Sequence, residues 1–205
     1  MSARLRYSPA SPFVRLVRVA LHETGMAERV ELEAGATSPM APDPALTALN
    51  PLGKIPCLVL EDGTAIYDSR VICRWVDAEA GGGLYPSGAA LWPALTLEAT
   101  AVGVMEAALA VVYEGRIRPE ALRFQPWVEA QTGKILTTLD FLERDGAARL
   151  QGEAHMGRLA VACALGYVDF RLPDLGWREG RPALAAWAEG MAARPSIAAT
   201  VPPAG

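Results

Sequence analysis

Asn50-Pro51-Leu52-Gly53-Lys54-Ile55-Pro56 runs straight into the apolar stretch Cys57-Leu58-Val59-Leu60, and this junction decides how the first part of the chain folds. Ile55 to Leu60 reads as a compact apolar strand, Glu61-Asp62-Gly63 as a hairpin turn and Thr64-Ala65-Ile66 as the returning strand. Tyr67-Asp68-Ser69 follows, and Asp68 or Ser69 is suited to cap a helix running to about Ala80. Upstream, Leu5 and Tyr7 alternate with polar neighbours as a short strand does. Ser11-Pro12 then opens a helix, because proline is tolerated in a first helical turn and serine caps one. Phe13, Val17, Ala20 and Leu21 recur at helical spacing until Gly25, and Arg29 to Glu33 alternates again. The stretch from Ala34 to Asn50 reads as a loop with one short helix near Ala45 to Leu49. The predicted order is β-α-β-loop-β-β-α over residues 1–80.

Gly81-Gly82-Gly83 with Pro86 and Gly88 makes a linker over 81–88. From 89 to 205 the pattern is helical. Trp92, Leu95, Ala99, Val102, Leu109 and Tyr113 form one stripe, and Val128, Ile135, Leu139 and Leu142 a second. Leu159, Ala162, Cys163, Gly166, Tyr167 and Phe170 form a third, and a last helix spans about Pro182 to Ala193. The fold class expected is α/β followed by all-α.

Composition narrows the function. With 51% hydrophobic and 20% charged residues the chain is ordinary for a soluble globular protein. A net charge of −4 with scattered basic residues gives no footprint for nucleic acid or an anionic membrane. The N-terminus has no apolar signal core, and the weakly polar run around Ala99 to Val112, broken by Glu106, reads as a buried helix. Three widely spaced cysteines, Cys57, Cys73 and Cys163, argue for a reducing, cytoplasmic setting and read as inert core. His22 and His155 lack further ligands at metal-binding spacing, so no metal site is expected.

Ser11-Pro12-Phe13-Val14, Asn50 to Pro56 and Tyr67-Asp68-Ser69, in this order and with this layout, resemble the cytosolic glutathione transferase family, as a serine-type bacterial member. The resemblance spans nearly the whole chain. It implies a thioredoxin-like glutathione-binding domain, then the linker and an all-helical electrophile-binding domain. A thioredoxin-like domain doing its own redox chemistry would carry cysteine where Ser11 stands, and often where Val14 stands. A serine forms no mixed disulfide, yet it can donate a hydrogen bond to a ligand's sulfur.

The family assigns each motif a task. The proline matching Pro56 is cis there and turns the Ile55 peptide outward, to pair with the cysteinyl backbone of glutathione like a strand edge. Ser69 and the helix N-terminus meet the γ-glutamyl carboxylate, Asp68 either meets the γ-glutamyl ammonium or caps the helix, and Lys54 meets the glycyl carboxylate. Phe13 joins this binding set. Ser11 is the expected catalytic residue. A hydroxyl donor to a charged acceptor contributes roughly 1.5–3 kcal/mol and a helix N-terminus about 0.3–1, enough to lower a thiol pKa by roughly one to three units. Partial desolvation favours the low end. Tyr7 and Ser8 are the competing hydroxyls.

Trp92 and Tyr113 are candidates for the electrophile pocket, and core packing is the alternative for both. Glu114, Arg116 and Arg118 either tune substrate polarity or face water, and Arg15 and Arg18 form a solvated face or part of a subunit interface. The family's usual Ser/Thr-x-x-Asp capping box is absent at His155-Met156-Gly157-Arg158, which calls for compensation elsewhere. The implied partners are glutathione, a small hydrophobic electrophile and a second copy in a homodimer. Two rivals stand beside the transferase: a glutathione-dependent peroxidase or reductase, and a non-catalytic protein that binds glutathione or apolar ligands.

Overall fold

The computed structural model describes residues 3–35 and 37–203, with residues 145–148 described by their backbone alone. Contacts divide the chain into two compact units, Met1–Gly88 with Ala199–Gly205, and Ala89–Ala198.

The first unit holds β1 (Ala3–Tyr7), α1 (Pro12–Glu23), β2 (Val30–Ala34), α2 (Pro44–Thr47), β3 (Cys57–Val59), β4 (Ala65–Ile66) and α3 (Ser69–Glu79). The four strands lie in the order β2-β1-β3-β4. β1 runs parallel to β2 with Leu5 opposite Leu32, and antiparallel to β3 with Arg6 opposite Cys57. β4 returns antiparallel to β3 with Ile66 opposite Leu58. The predicted third strand is shorter than expected: it begins at Cys57, and Ile55 stays outside the ladder.

Helix α1 packs beside α3, and α3 beside β3. Leu5, Val14, Val17, Ala20, Leu58, Ile72 and Cys73 are among the residues removed from water to form the core. From the inner strand β1, Arg6 pairs with Glu33 of β2 and, at 2.8 Å, with Asp43, the residue that N-caps α2.

Arg15 does not face solvent. It is buried, and its Nε donates to Thr200 Oγ1 at 3.5 Å, while Arg18 donates to the Ala199 carbonyl at 3.4 Å. These bonds are why the tail from Ala199, which the sequence pattern grouped with the helical domain, belongs with the first unit.

The second unit contains α4 (Leu91–Arg116), α5 (Gln125–Leu150), α6 (Met156–Arg171), α7 (Pro182–Ala192) and α8 (Pro195–Ala198). Helix α6 is buried on almost every side and packs on α4, α7 and α8, so it is the centre of this unit. By length and composition α4 would suffice to cross a membrane, but its residues Ala94, Leu97, Ala101, Met105 and Ala108 are buried within the protein. Close packing of α6 on α4 requires glycine at 157: a Cβ there would lie 2.4 Å from the Ala94 carbonyl oxygen and 3.1 Å from Leu97 Cβ.

The missing capping box is visible at the start of α6, where His155 is the N-cap residue and makes no side-chain cap. Compensation comes from Arg158, whose Nε donates to the Arg149 carbonyl at 2.9 Å and whose Nη1 donates to the Glu153 carbonyl. One side chain thereby ties the end of α5 and the connecting loop to the first turn of α6.

Candidate functional site

Strand register gathers the three motifs. Because Arg6 faces Cys57 across an antiparallel pair, the segment leaving β1 and the segment entering β3 lie at the same end of the sheet. Because Ile66 faces Leu58 across another, the chain leaving β4 emerges at that end as well. Ser11, the Lys54-Ile55-Pro56 loop and Asp68-Ser69 are therefore neighbours at one sheet end, although the sequence separates them widely.

Ser11 is the N-cap of α1: its Oγ accepts the Val14 N–H at 3.3 Å. Accepting leaves the hydroxyl's own proton to be donated elsewhere. In the first turn Pro12 has no N–H, Val14 is capped by the side chain and Arg15 bonds to the Ser11 carbonyl at 3.0 Å. The Phe13 N–H is left without a partner among the described residues. Helix and hydroxyl thus present two donors side by side, at the positive end of the dipole.

Helix α3 repeats the arrangement with an acid. Asp68 caps it, its Oδ1 accepting the Arg70 N–H at 3.0 Å while Oδ2 pairs with the Arg70 guanidinium at 3.1 Å. Of the two roles open to this acid, capping is the one present in the fold. Ser69, the first residue of α3, is 3% exposed. Lys54 is exposed and belongs to no ion pair among them.

The loop between these helix ends is held by a residue whose role the sequence did not disclose. Asn50 is 1% exposed; its Nδ2 donates to the Lys54 carbonyl at 2.8 Å and its Oδ1 accepts the Leu52 N–H at 3.1 Å. Both bonds close on the loop itself and set the path into Pro56. Gly53 is required next to it, with φ of +61° and a would-be Cβ 2.8 Å from Pro42 Cβ. The Ile55–Pro56 bond is cis, as is Tyr67–Asp68. No turn or cap bond uses the Ile55 N–H or C=O among the described residues, so both remain available to an extended ligand backbone.

Of the rival hydroxyls, Tyr7 ends β1. Ser8 uses its carbonyl to accept the Ser11 N–H at 3.1 Å, fixing the turn that presents Ser11. Cys57 is buried beside the site, and burial pushes its thiol pKa up, away from nucleophilic use.

Trp92 and Tyr113 do not come together. They stand in the first and last turns of the single helix α4, separated by about 30 Å along its axis. One small ligand cannot touch both. Trp92 is 68% exposed and Tyr113 38%. Glu114 is turned inward, accepting the Phe124 N–H at 2.8 Å and pairing with Arg118 at 2.7 Å, contacts that hold its carboxyl below the usual range. Among the described residues no cluster of three or more His, Cys, Asp or Glu could hold a metal ion.

A four-stranded mixed sheet flanked by helices, followed by an all-helical unit, defines a thioredoxin-like domain joined to a helical one, and comparison with known proteins agrees. Residues 10–79 match the glutathione S-transferase N-terminal domain and residues 125–190 the glutathione S-transferase C-terminal domain. The chain belongs to the glutathione S-transferase family. It is 33% identical over 96% of each chain to the uncharacterized GST-like protein YibF of Escherichia coli K12. A glutathione transferase family member from Pseudomonas fluorescens Pf-5, solved with bound glutathione, is 48% identical with a TM-score of 0.96, over 98% of this chain and 100% of that one. A structure from the same organism with bound S-(propanoic acid)-glutathione is 46% identical with a TM-score of 0.92, again over 98% and 100%.

Proposed function

We propose that this protein is a glutathione transferase of the serine type, in which Ser11 keeps the thiol of bound reduced glutathione ionised for attack on a small electrophile. The observation that carries this reading is the start of α1, where the Ser11 hydroxyl and the Phe13 N–H stand as neighbouring donors. A thiolate between them exchanges water for two fixed donors and the helix dipole. Ile55 offers both of its backbone groups to the tripeptide's extended middle, Ser69 and the N-terminus of α3 meet its γ-glutamyl carboxylate, and Lys54 its glycyl carboxylate. The unpaired donors suit that ligand's anionic ends. Likeness to the relative with bound glutathione supports the ligand, and the relative with the S-alkylated tripeptide supports sulfur as the reacting atom. We also read the protein as a cytoplasmic homodimer; exposed Leu52 and Val71 in the first unit are apolar surface for a second copy to cover, and sedimentation velocity tests it.

Ser11→Ala is the decisive variant. Glutathione binding by calorimetry should persist, the pKa of the bound thiol, read from thiolate absorbance, should rise, and kcat/KM with an activated aromatic halide should fall about 10- to 100-fold. Unchanged turnover, or the same loss in Tyr7→Phe instead, would overturn the assignment. Parallel assays with an organic peroxide and a mixed disulfide separate alkyl transfer from reduction.

A further inference from the structure

Arg6 divides one guanidinium between two carboxylates that bracket the connection from β2 to α2. Its Nη1 pairs with Glu33, the next-to-last residue of β2, and its Nη2 with Asp43 at 2.8 Å, just before α2 begins. The Arg6 side chain is 12% exposed, so its charge is committed to this connection rather than offered to solvent. The connection leaves the sheet where the Gly35 N–H donates to the Tyr7 carbonyl at 3.1 Å. It doubles back in a turn closed by the Ala41 N–H on the Ser38 carbonyl, also at 3.1 Å. Asp43 accepts the Ala45 N–H at 2.9 Å as well, so one carboxylate both caps α2 and holds Arg6.

What this stapled connection touches is Gly53. The Thr37 hydroxyl donates to the Gly53 carbonyl at 3.1 Å. Pro42 and Thr47 close on the same residue, their side chains 2.8 and 3.2 Å from the position a Gly53 Cβ would take. Gly53 is buried, and its N–H donates to the Asn50 carbonyl at 2.8 Å. Lys54 comes next. The peptide before it is held by Thr37 through the Gly53 carbonyl, and the peptide after it by Asn50 through its own carbonyl, at 2.8 Å. Peptide planes are stiff, so fixing the two that flank a residue fixes its φ and ψ, and with them the direction in which its side chain leaves. That side chain is exposed and belongs to no ion pair among the described residues. Thr37 thus satisfies the carbonyl of a buried residue and, by the same bond, orients an exposed cation.

We propose that Thr37 is a positioning residue for the glycyl end of glutathione, fixing the Lys54 ammonium through the Gly53 carbonyl to meet the tripeptide's terminal carboxylate. A cation set in place beforehand loses less freedom on binding than one carried by a free loop. The connection clamped by Arg6 is thereby the part of the first unit that reads the third residue of the tripeptide. This role rests on the transferase reading above, which puts the glycyl carboxylate at Lys54.

Calorimetry on the full chain, with glutathione and its glycyl ethyl ester as separate titrants, tests it. The ester keeps the rest of glutathione and loses the terminal charge. The wild-type protein should bind the acid about three- to fivefold more tightly, the range open to an exposed ammonium and a carboxylate. Thr37→Val should bring that ratio down to about half or less, while Thr37→Ser, which keeps the hydroxyl, should preserve it. Lys54→Gln should abolish it. A wild-type ratio in Thr37→Val would overturn the role. So would an equal loss of affinity for both titrants, because general loosening of the loop produces that result. Should Thr37→Val lose its folded circular dichroism signal, Thr37→Ala carries the same test. If Lys54→Gln abolishes the ratio and Thr37→Val keeps it, the Lys54 contact stands and the Thr37 role falls. Equal binding of acid and ester by the wild-type protein, or binding of neither, would instead sink the placement of glutathione at Lys54, and the Thr37 role with it.

Discussion

A buried amide shapes the site as much as the residues that would meet a ligand. Asn50 satisfies one donor and one acceptor of the loop that carries Ile55, with no water needed. Asn50→Ala should cost about 2–3 kcal/mol in urea unfolding, because it leaves the Lys54 carbonyl and Leu52 N–H unpaired. It should also raise KM for glutathione more than it lowers kcat, since it acts on loop position. A kcat loss at unchanged KM would contradict this role. At this scale the sequence disclosed local caps and turns better than the side chains that support them. The Ser11 cap, the turn into Pro56 and the helix start at Ser69 were legible because helix caps and proline-flanked loops have local signatures. Asn50 was quoted within its motif, yet nothing local said that its side chain folds back on its own loop. Arg15 misled for the opposite reason: helical spacing alone cannot tell a solvated arginine from one covered by a segment far along the chain.

Among the elements, α6 combines the deepest burial with the weakest start. His155 is its N-cap residue, and its Nδ1 is buried without a hydrogen-bond partner among the described residues. Burial, with help from nearby Arg158, holds the imidazole below its usual 6.5. The unfolded chain then binds that proton more readily than the folded one, so stability is complete above about pH 6.5 and declines as the pH falls through that value. In a series of thermal melts, His155→Gln should flatten the pH dependence between about 7 and 5. An unchanged slope would exclude His155 as its source. Helix existence was plain from apolar spacing, as α4 to α7 demonstrate. What periodicity could not convey is that α4 is one uninterrupted rod, which separates Trp92 from Tyr113. Nor could it reveal that Gly157 lets α6 pack closely on α4.

For the molecule as a whole, the Gly/Pro linker announced two parts, and the order of strands and helices in the first followed from turns and alternation. Membership of the final segment did not, because the contacts that claim it are non-local. Thr200 is fully buried and accepts from Arg15. Thr200→Val should lower the unfolding free energy of the first unit by about 1 kcal/mol. Hydrogen exchange should show α1 losing protection more than α6; equal loss in both would refute the tail's local role.

The tail also bears on biosynthesis. Arg15 leaves the ribosome long before Thr200, which lies 185 residues later. The first unit is thus synthesised first but completed only after the helical unit. Any nascent form of it must wait for a strap made 185 residues after the helix it fastens.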